Sequence, residues 1–319
     1  MKKYPLRVSY ISKSAIWSGT RLVREWGKIG EGDRIAETWE LSVRSKEMAT
    51  VQNGEAKGMT LQAYIETCGA DCVSPCYSTE DRFPLLIKLI DAADKLSVQV
   101  HPDDAYASRV EGDSGKTEMW YIVEAEPNAA IIYGLKDSVT GEEFARAVRE
   151  KRIGETMRSC PVKAGEAYFI PAGMVHAIGE GILIAEVQQN SDLTYRIYDY
   201  DRRQADGSLR ELHTEKALEV VRPFAEEEIT ALRFERGAGD SDCLVNSRYF
   251  SVFKREVHSP LDASVGKESF VALLCISGEG VLTHEGVPYE IRRGDSYFLP
   301  AGMGNYVLSG KMTLIEATV

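Results

Sequence analysis

Short apolar runs alternate with polar turns along most of the chain. Each run is rich in β-branched and aromatic residues and is bounded by segments that contain glycine. Strands this short, separated by such turns, indicate a β-sandwich or a closed barrel. The runs that we predict to be strands include Met119 to Val123, Ala130 to Tyr133, Ile182 to Val187, Val271 to Ile276 and Met312 to Ile315.

Helical patterns are fewer than strand patterns. The most persuasive one places Phe144, Val148 and Met157 among many charged residues, as in an amphipathic helix. The segments that we predict to be helices are Thr60 to Cys68, Gly141 to Arg158 and Thr214 to Val221. The chain is therefore expected to be mainly β, with short helical insertions.

A ten-residue segment occurs twice in the chain. Gly165 to Met174 reads GEAYFIPAGM and Gly294 to Met303 reads GDSYFLPAGM, so seven positions are identical. The offset of 129 residues is the size of a domain and exceeds the period of roughly 20–50 residues found in solenoid repeats. Each copy is predicted to be a strand that ends in a Pro-Ala-Gly turn. Two homologous modules are the simplest explanation.

The repeat divides the chain into three predicted parts. Residues 1–213 form a first module with helical insertions, residues 214–238 form a helical connection, and residues 239–319 form a second module. Just beyond the repeated segment, the first copy has His176 where the second copy has Asn305. The first module is therefore the candidate for metal chemistry, and the second is expected to be structural.

The histidine of the first copy belongs to a wider pattern. The arrangement Gly165-x5-Pro171-x-Gly173-x2-His176 resembles the second sequence motif of the cupin superfamily of small β-barrels, in which this histidine is a metal ligand. The resemblance implies two cupin-type jelly-roll β-barrels. The alternative is that His176 is an ordinary surface or core residue, because a lone histidine after a turn is more often such a residue than a metal ligand.

An upstream strand supplies candidate partners for His176. In the segment SVQVHP the residues alternate, so Gln99 and His101 project from one face. Glu118 stands at the head of a later predicted strand. Two imidazole nitrogens, an amide oxygen and one carboxylate suit zinc and tolerate Mn, Fe or Co. The alternative is an edge-strand histidine beside a polar residue.

Further segments extend the resemblance to one enzyme family, the type I mannose-6-phosphate isomerases. Residues 11–203 carry these segments in the family's order, and the C-terminal third is similar mainly through the second cupin copy. The segments are IWSGT from Ile16, ETWELS from Glu37, FPLLIKLIDA from Phe83, QVHPDD from Gln99, GKTEMWY from Gly115, and the turn from Pro171 to His176.

The resemblance implies a function and a set of site residues. Members of the family interconvert mannose 6-phosphate and fructose 6-phosphate, so the expected partner is a small phosphosugar. The resemblance also implies one zinc ion per chain, with other divalent metals as alternatives. The ligands that it implies are Gln99, His101, Glu118 and His176.

Two positions beside Lys116 depart from the longer enteric and fungal members. Those members have a histidine and a proline where this chain has Gly115 and Thr117. A mechanism that uses that histidine cannot operate here. The chain is closer to the short bacterial branch of the family.

The segment AEVQQNSDLTYR, which ends at Arg196, is similar to the active-site strand of the family. If the strand continues, Arg196, Tyr198, Tyr200 and Arg202 share one face. Two cations with interleaved aromatic rings on that face would accept a phosphate and a sugar. The alternative is a solvated strand face whose cations pair with the neighbouring aspartates.

An aldose–ketose isomerase moves a proton between C1 and C2 through an enediol, and this requirement assigns hypothetical roles. Glu186 is a candidate base, and Lys116 would transfer a proton to oxygen or stabilise the enediolate. Arg196 would stabilise negative charge at the reacting end. Arg202 would anchor the phosphate, with Tyr198 beside the sugar.

Composition and charge narrow the class of protein. The chain has 319 residues, with 38 Lys and Arg against 49 Asp and Glu, and a net charge of -11. This balance disfavours a nucleic-acid partner, although one local cationic cluster can still hold a phosphate. No stretch approaches the roughly 20 apolar residues of a membrane span, and no apolar region follows the first lysines. Six cysteines without a signal segment predict reduced thiols and a cytoplasmic protein. The oligomeric state stays open.

Three cysteines recur at an even spacing. Cys68, Cys72 and Cys76 are four residues apart. The spacing matches neither the paired zinc pattern nor the ferredoxin pattern. We therefore interpret them as incidental small residues.

Two rival functions remain open from the sequence. One is another metal-dependent cupin enzyme, such as an oxygenase, which would usually have a site richer in histidine. The other is a non-catalytic cupin that binds a phosphosugar.

Overall fold

Antiparallel β-structure dominates the computed structural model of this chain, which describes residues 1–44, 47–204, 206–234 and 242–319. In chain order the strands are β1 Leu6–Val8, β2 Ile11–Lys13, β3 Glu37–Leu41, β4 Val43–Arg44, β5 Glu47–Met48, β6 Leu85–Ala92, β7 Val98–Val100, β8 Glu118–Ala125, β9 Ala130–Leu135, β10 Met157–Pro161, β11 Ala167–Ile170, β12 His176–Ala177, β13 Ile182–Gln189, β14 Tyr195–Tyr198, β15 Arg233–Phe234, β16 Cys243–Asn246, β17 Ser251–Val257, β18 Leu261–Val265, β19 Val271–His284, β20 Val287–Arg292, β21 Ser296–Leu299 and β22 Gly304–Thr318. The helices are α1 Arg21–Arg24, α2 Leu61–Cys68, α3 Asp104–Val110, α4 Gly141–Arg149, α5 Thr214–Val220 and α6 Glu226–Ala231, with 3-10 turns at Ala70–Cys72 and Ile153–Glu155. The expected mainly β class is confirmed.

Two antiparallel sheets face each other in the N-terminal module. One has the strand order β15-β11-β8-β13-β6-β3-β2 and the other has the order β10-β9-β12-β7-β14. Buried side chains fill the space between them, including Trp120 and Ile184 from the first sheet and Tyr133 from the second. Removing this apolar surface from water stabilises the pairing of the sheets. The arrangement brings β8 and β13 opposite β7 and β12.

The outer faces of both sheets are also covered. Helices α4 and α5 pack on the five-stranded sheet, where Phe144 and Ala217 join Val98 in one apolar cluster. The seven-stranded sheet packs against the C-terminal sheet, where Leu89 joins Phe298. As a result, β13 is buried at every position. A strand buried on both faces shows a continuous apolar run rather than an alternation.

The C-terminal module contains a third sheet. Its strand order is β1-β21-β19-β22-β17-β16, with β18 paired to β22 and β20 paired to β19. Leu273, Tyr297 and Leu314 belong to its own apolar core. Because β1 pairs with β21, the start of the chain completes the sheet of the second module. The predicted boundary between residues 238 and 239 lies outside the described residues.

The two copies of the repeated segment have the same local structure. β11 and β21 are each followed by the Pro-Ala-Gly turn. The turn glycines, Gly173 and Gly302, have φ angles of 87° and 74°, in the left-handed region that favours glycine. The predicted pair of strand–turn units is confirmed.

The helix predictions are right for two segments and half right for the third. The predicted helices Thr60 to Cys68 and Thr214 to Val221 correspond to α2 and α5. The predicted helix Gly141 to Arg158 is wrong in its second half, because α4 ends at Arg149 and Met157 begins β10. Shortly after α4 the chain passes through the left-handed region at Lys151, with φ of 57°, which stops a right-handed helix. None of the helices in the described ranges is long and apolar enough to cross a bilayer.

Candidate metal centre and active site

His101, Glu118 and His176 meet between the two facing sheets. The Nε2 atoms of the histidines are 3.1 Å apart, and carboxylate oxygens of Glu118 lie 3.2 Å from His101 Nε2 and 3.7 Å from His176 Nε2. All three side chains are buried. Among the His, Cys, Asp and Glu residues in the described part of the chain, this is the only group of three or more close enough to hold one ion. The structure therefore brings three of the four predicted ligands together.

The ends of three strands position these side chains. His101 follows the last residue of β7 and precedes Pro102, which has no N–H to continue the ladder. The carbonyl of His101 accepts a hydrogen bond from Gly173 N at 2.9 Å. This bond ties the end of β7 to the turn that leads into His176 at the start of β12. Glu118 begins β8 in the opposite sheet.

Backbone carbonyls fix the tautomers of both histidines. The Nδ1 of His101 lies 2.8 Å from the carbonyl oxygen of Leu193, and the Nδ1 of His176 lies 2.8 Å from that of Met174. A carbonyl can only accept, so each Nδ1 carries the proton and donates it. Each Nε2 is left with its lone pair. Burial, and then Lys116, lower the pKa of His101 to about 3, and burial lowers the pKa of His176. Both rings are therefore neutral, as metal-binding imidazoles must be.

This set of atoms fits a divalent cation. Two lone pairs 3.1 Å apart beside a buried carboxylate repel one another unless a positive charge lies between them. Neither oxygen of Glu118 accepts an aligned hydrogen bond from the described residues. Oε2 in particular has no donor close to it, and a buried acceptor without a donor costs about 1–3 kcal/mol. Two nitrogens and a carboxylate are ligands that zinc and its neighbours in the first transition series accept.

The ammonium group of Lys116 reaches the same space. Its Nζ lies 2.8 Å from Glu118 Oε1 and 3.2 Å from His101 Nε2, and the side chain is buried. Burial opposes the ionisation of Glu118, yet the charge of Lys116 holds the pKa of this carboxyl well below its ordinary value. The centre therefore contains an ionised carboxylate with a cation already beside it.

The fourth predicted ligand, Gln99, lies next to His176 in the five-stranded sheet. It is the cross-strand partner of His176 on one side and of Arg196 on the other. Its neighbours Val98 and Val100 pack into the outer cluster under the helices. Because successive residues of a strand point to opposite faces, Gln99 faces the inner side with the histidine.

Arg196 shares this inner face. Its Nη1 donates to the carbonyl of Glu211 at 2.7 Å, whereas its buried Nε has no acceptor among the residues that the structure describes. Burial and the nearby charge of Arg210 lower the pKa of Arg196. Antiparallel strands are about 5 Å apart, so the backbone of Arg196 is roughly two strands, about 10 Å, from that of His176.

The predicted alternation from Arg196 to Arg202 is wrong. A bulge after Arg196 shifts the register, and the strand ends at Tyr198. Tyr200 and Asp201 then have φ angles of 57° and 52°, so the chain turns instead of continuing as a strand. Tyr198 packs with the outer cluster and contacts the Tyr200 ring at 4.9 Å between centroids.

Arg202 is already paired within the protein. Its Nη1 donates to Asp94 at 2.9 Å, and its Nη2 donates to Asp199 at 2.7 Å. Arg210 donates to the same Asp199 carboxylate through Nε at 2.7 Å. The sequence left open the alternative that the cations of this segment pair with neighbouring aspartates, and the ion pair between Arg202 and Asp199 agrees with that alternative. Asp199 thus holds two guanidinium groups beside the half-buried Arg196.

Glu186 occupies the inner face of the seven-stranded sheet. Its carboxylate lies 3.1 Å from Lys88 Nζ and accepts a hydrogen bond from Trp120 Nε1 at 2.8 Å. The Trp120 ring in turn contacts the His176 ring, with centroids 5.4 Å apart. Burial, together with the charge of Glu118, raises the pKa of Glu186. A carboxyl with a raised pKa close to a metal centre is a functional-site candidate.

Sequence reasoning missed Lys88 and Glu37. Lys88 lies in β6, which is buried at all eight positions, and its Nζ is 3.6 Å from Glu37. The available signal was an ionisable residue in a strand whose other residues are mainly apolar. A buried charge persists only when it is paired, so a lysine in such a strand implies acidic partners nearby.

The three evenly spaced cysteines are not part of a candidate metal site among the residues that the structure describes. Cys68 is half-buried, Cys72 is buried and Cys76 is exposed. Within the described ranges, no group of metal-binding side chains includes them. Their interpretation as incidental residues stays a prediction.

Two family models match parts of the chain. The model described as "Phosphomannose isomerase type I, catalytic domain" matches residues 12–121, and "Mannose-6-phosphate isomerase, cupin domain" matches residues 241–319. The first match includes His101 and Glu118, and the second includes the second copy of the repeated segment.

Curated proteins match over nearly the whole chain. Mannose-6-phosphate isomerase ManA of Bacillus subtilis is 39% identical over 316 residues, which cover 97% of each chain. Mannose-6-phosphate isomerase of Streptococcus mutans is 35% identical over 98% of each chain.

Solved structures agree in fold over the same length. The mannose 6-phosphate isomerase from Bacillus subtilis superposes with a TM-score of 0.88 at 34% identity, covering 99% of both chains. A mutant of phosphomannose isomerase from Salmonella typhimurium superposes with a TM-score of 0.78 at 16% identity over 98% of both chains. This distant match shows that the fold is shared.

Proposed function

The chain belongs to the type I mannose-6-phosphate isomerases, and from this membership we propose that it interconverts mannose 6-phosphate and fructose 6-phosphate at a zinc ion. The observation that carries the proposal is the geometry of His101 and His176. Their Nε2 atoms face each other at 3.1 Å beside the Glu118 carboxylate. His101, Glu118 and His176 would hold the ion, with the amide oxygen of Gln99 as fourth ligand. When bound, the ion supplies Lewis acidity toward the sugar oxygens.

Glu186 is proposed as the group that moves the carbon-bound proton. The reaction needs a base that takes the proton from one carbon of the C1–C2 pair and returns it to the other. A raised pKa makes the carboxyl a better proton acceptor near neutral pH. The buried Lys88 ammonium opposes that rise and keeps a fraction of the carboxylate ionised. Trp120 fixes the carboxylate through its indole N–H.

Lys116 is proposed to serve the sugar oxygens. In the enediol step the carbonyl oxygen becomes negatively charged and must gain a proton or a compensating cation. The Lys116 ammonium is buried and lies 2.8 Å from the Glu118 carboxylate. It can donate a proton to that oxygen or stabilise the enediolate by charge alone. The residues beside it, Gly115 and Thr117, carry no imidazole that could take over this role.

Arg196 is proposed to bind the negative charge of the substrate. Its buried Nε lacks an acceptor among the described residues, and a buried guanidinium donor without a partner favours an incoming anion. It shares the inner face with Gln99, next to the proposed metal ligands.

Arg202 as phosphate ligand and Tyr198 beside the sugar remain proposals, which the sequence assigned from a predicted common strand face. Arg202 uses three of its five N–H groups on Asp199 and Asp94. A phosphate would share the guanidinium with these partners or replace Asp94, which is half-exposed and easier to displace than the buried Asp199. Tyr198 lies on the outer face, so its proposed contact with the sugar requires the chain after β14 to move.

The proposed setting is a cytoplasmic enzyme whose partner is a small phosphosugar. The net charge of -11 supports this proposal against a nucleic-acid partner. The reduced state expected for the six cysteines supports a cytoplasmic location.

A coupled assay tests the function directly. Purified full-length chain should convert mannose 6-phosphate, lose the activity on chelation, and regain most of it with one equivalent of zinc per chain. Stoichiometric recovery with manganese or cobalt but not zinc would reject the metal assignment alone. A chain that binds zinc tightly and turns over no mannose 6-phosphate or fructose 6-phosphate would reject the proposed reaction.

A further inference from the structure

Gln188 lies directly across the strand pair from Glu118. The strands β13 and β8 are antiparallel, and their register pairs these two residues. Directly opposed residues of such a pair project from the same face, with Cβ atoms about 5 Å apart. Gln188 is fully buried. Its side chain therefore begins beside the carboxylate of the proposed metal centre.

The amide nitrogen of Gln188 holds the chain that follows β13. Nε2 donates to the carbonyl oxygens of Gln189 at 2.7 Å and Ser191 at 2.6 Å. Both amide protons are used, and the reverse orientation would put the amide oxygen against two carbonyl oxygens. The orientation of the amide is thus determined by its partners. The buried Oε1 is left with no donor among the described residues.

The segment held in this way supports a proposed metal ligand. Residues 189–193, which we call the bend, lead from β13 to the carbonyl oxygen of Leu193. That oxygen accepts the hydrogen bond from His101 Nδ1 at 2.8 Å. Within the bend, Leu193 N donates to Ser191 Oγ at 3.3 Å. Gln188 is therefore linked to the His101 ring by a short series of hydrogen bonds.

We propose that Gln188 is a positioning residue of the metal centre. Its two amide N–H groups fix the bend, so that Leu193 presents its carbonyl to His101 and holds the ring with Nε2 toward the ion. Its unpaired Oε1 adds the negative end of a dipole beside Glu118, which favours a cation. Groups that orient metal ligands typically change metal affinity by about 10- to 100-fold when they are removed. The inference rests on the metal centre of the proposed function, but it does not depend on the proposed isomerase reaction.

The neighbouring glutamine has a different task. Gln189 accepts a hydrogen bond from Thr117 N at 2.9 Å and donates to Asp104 at 3.0 Å. Its side chain thus joins the bend to the segment before β8. The contrast shows that the two adjacent amides are not interchangeable, and that Gln188 is the one on the face of Glu118.

The test is zinc affinity in the variant Gln188→Met. Methionine keeps the unbranched shape and the volume but has no N–H groups and no carbonyl. The zinc dissociation constant of the full chain, measured by chelator competition, should rise about 10- to 100-fold. The visible absorption spectrum of the cobalt-loaded protein, which reports ligand geometry, should also change. Ser191→Ala, which removes the acceptor for Leu193 N, should act in the same direction with a smaller effect, and it supplies the test if Gln188→Met does not fold.

Val252→Ala is the matched control for stability. Val252 is fully buried in the C-terminal sheet, so its truncation lowers the melting temperature without touching the centre. If Gln188→Met lowers the melting temperature as Val252→Ala does and leaves zinc affinity and the cobalt spectrum unchanged, Gln188 only fills the strand end and the proposal is wrong. A wild-type chain without isomerase activity whose zinc affinity still depends on Gln188 would overturn the proposed reaction and support this inference.

Discussion

Lys88 and Glu186 form a buried ion pair across adjacent strands, with Lys88 Nζ 3.1 Å from Glu186 Oε1. The register of β6 and β13 places the two residues directly opposite each other. Burial and the charge of Glu118 raise the pKa of the Glu186 carboxyl, whereas Lys88 lowers it. The pair therefore sets how much of the proposed base is ionised at neutral pH.

Replacing Lys88 by Met should move the acidic limb of the pH–rate profile to higher pH. The variant loses the cation that lowers the pKa of Glu186, so the carboxyl stays protonated to higher pH. A shift of at least about one unit is expected, because one unit corresponds to only 1.36 kcal/mol of interaction. The measurement is kcat/KM against pH from about 5 to 9. Lys254→Met, which removes a lysine paired with Glu256 in the C-terminal sheet, should leave the limb in place. An unmoved limb in Lys88→Met would exclude Glu186 as the titrating base.

Replacing His101 or His176 by Ala should abolish isomerisation and remove bound metal. Each change deletes one of two Nε2 ligands that share the centre, and the remaining set has too few donors for a stable site. Metal content by atomic absorption and turnover in the coupled assay are the two measurements. His258→Ala is the control, because His258 is exposed on the C-terminal module. Full activity in a metal-free preparation of either variant would refute the scheme.

Replacing Arg196 by Ala should lower turnover at least about a hundredfold while metal content stays intact. The loss has the size expected for removing one electrostatic stabiliser of developing charge. Arg196→Lys keeps the charge but not the fork of N–H donors, so it should recover only part of the turnover. Unchanged turnover in Arg196→Ala, with normal zinc content, would remove this residue from the mechanism.

The parts of the site that local chemistry encodes were predictable from the sequence. The Pro-Ala-Gly turn of the repeated segment fixes the backbone before His176, because its glycine needs a left-handed conformation. Alternation in β7 and the following Pro102 determine that the strand ends directly before His101. β7 and β12 are far apart in sequence, and only the family resemblance predicted that His101 and His176 lie together.

The parts that depend on strand pairing were not predictable. Lys88 and Glu186 are almost a hundred residues apart in sequence, and only the register of β6 against β13 joins them. The bulge after Arg196 depends on how β14 pairs with β7, so alternation alone gave the wrong face for Tyr198. The end of α4 was missed because the charged residues after it continue to resemble a helix surface.

Asp199 should govern phosphate recognition through the two guanidinium groups that it holds. The carboxylate is buried and accepts hydrogen bonds from Arg202 and Arg210, both at 2.7 Å. In Asp199→Asn these groups lose a charge-assisted partner, which is worth about 1.5–3 kcal/mol. The KM for mannose 6-phosphate and the inhibition constant for inorganic phosphate should therefore rise about tenfold or more, while zinc content stays constant. Asp295→Asn, which breaks the ion pair with Arg7 in the C-terminal sheet, is the matched control.

The same substitution should also change stability in a pH-dependent way. Burial opposes the ionisation of Asp199, but the hydrogen bonds from Arg210 and Arg202 hold its pKa below the ordinary value of 3.8. A carboxyl whose pKa is lower in the folded state contributes stability that is complete above its unfolded pKa and is lost as pH falls through the folded pKa. The free energy of unfolding of Asp199→Asn should therefore be lower than that of the wild type at pH 6 to 7, with the gap closing below about pH 4. Urea unfolding at several pH values measures this gap. A difference in unfolding free energy that stays constant down to pH 3 would mean that the charge of the Asp199 carboxylate contributes nothing to stability. For the prediction on phosphate recognition, an unchanged inhibition constant for phosphate would show that Arg202 and Arg210 do not contact the substrate.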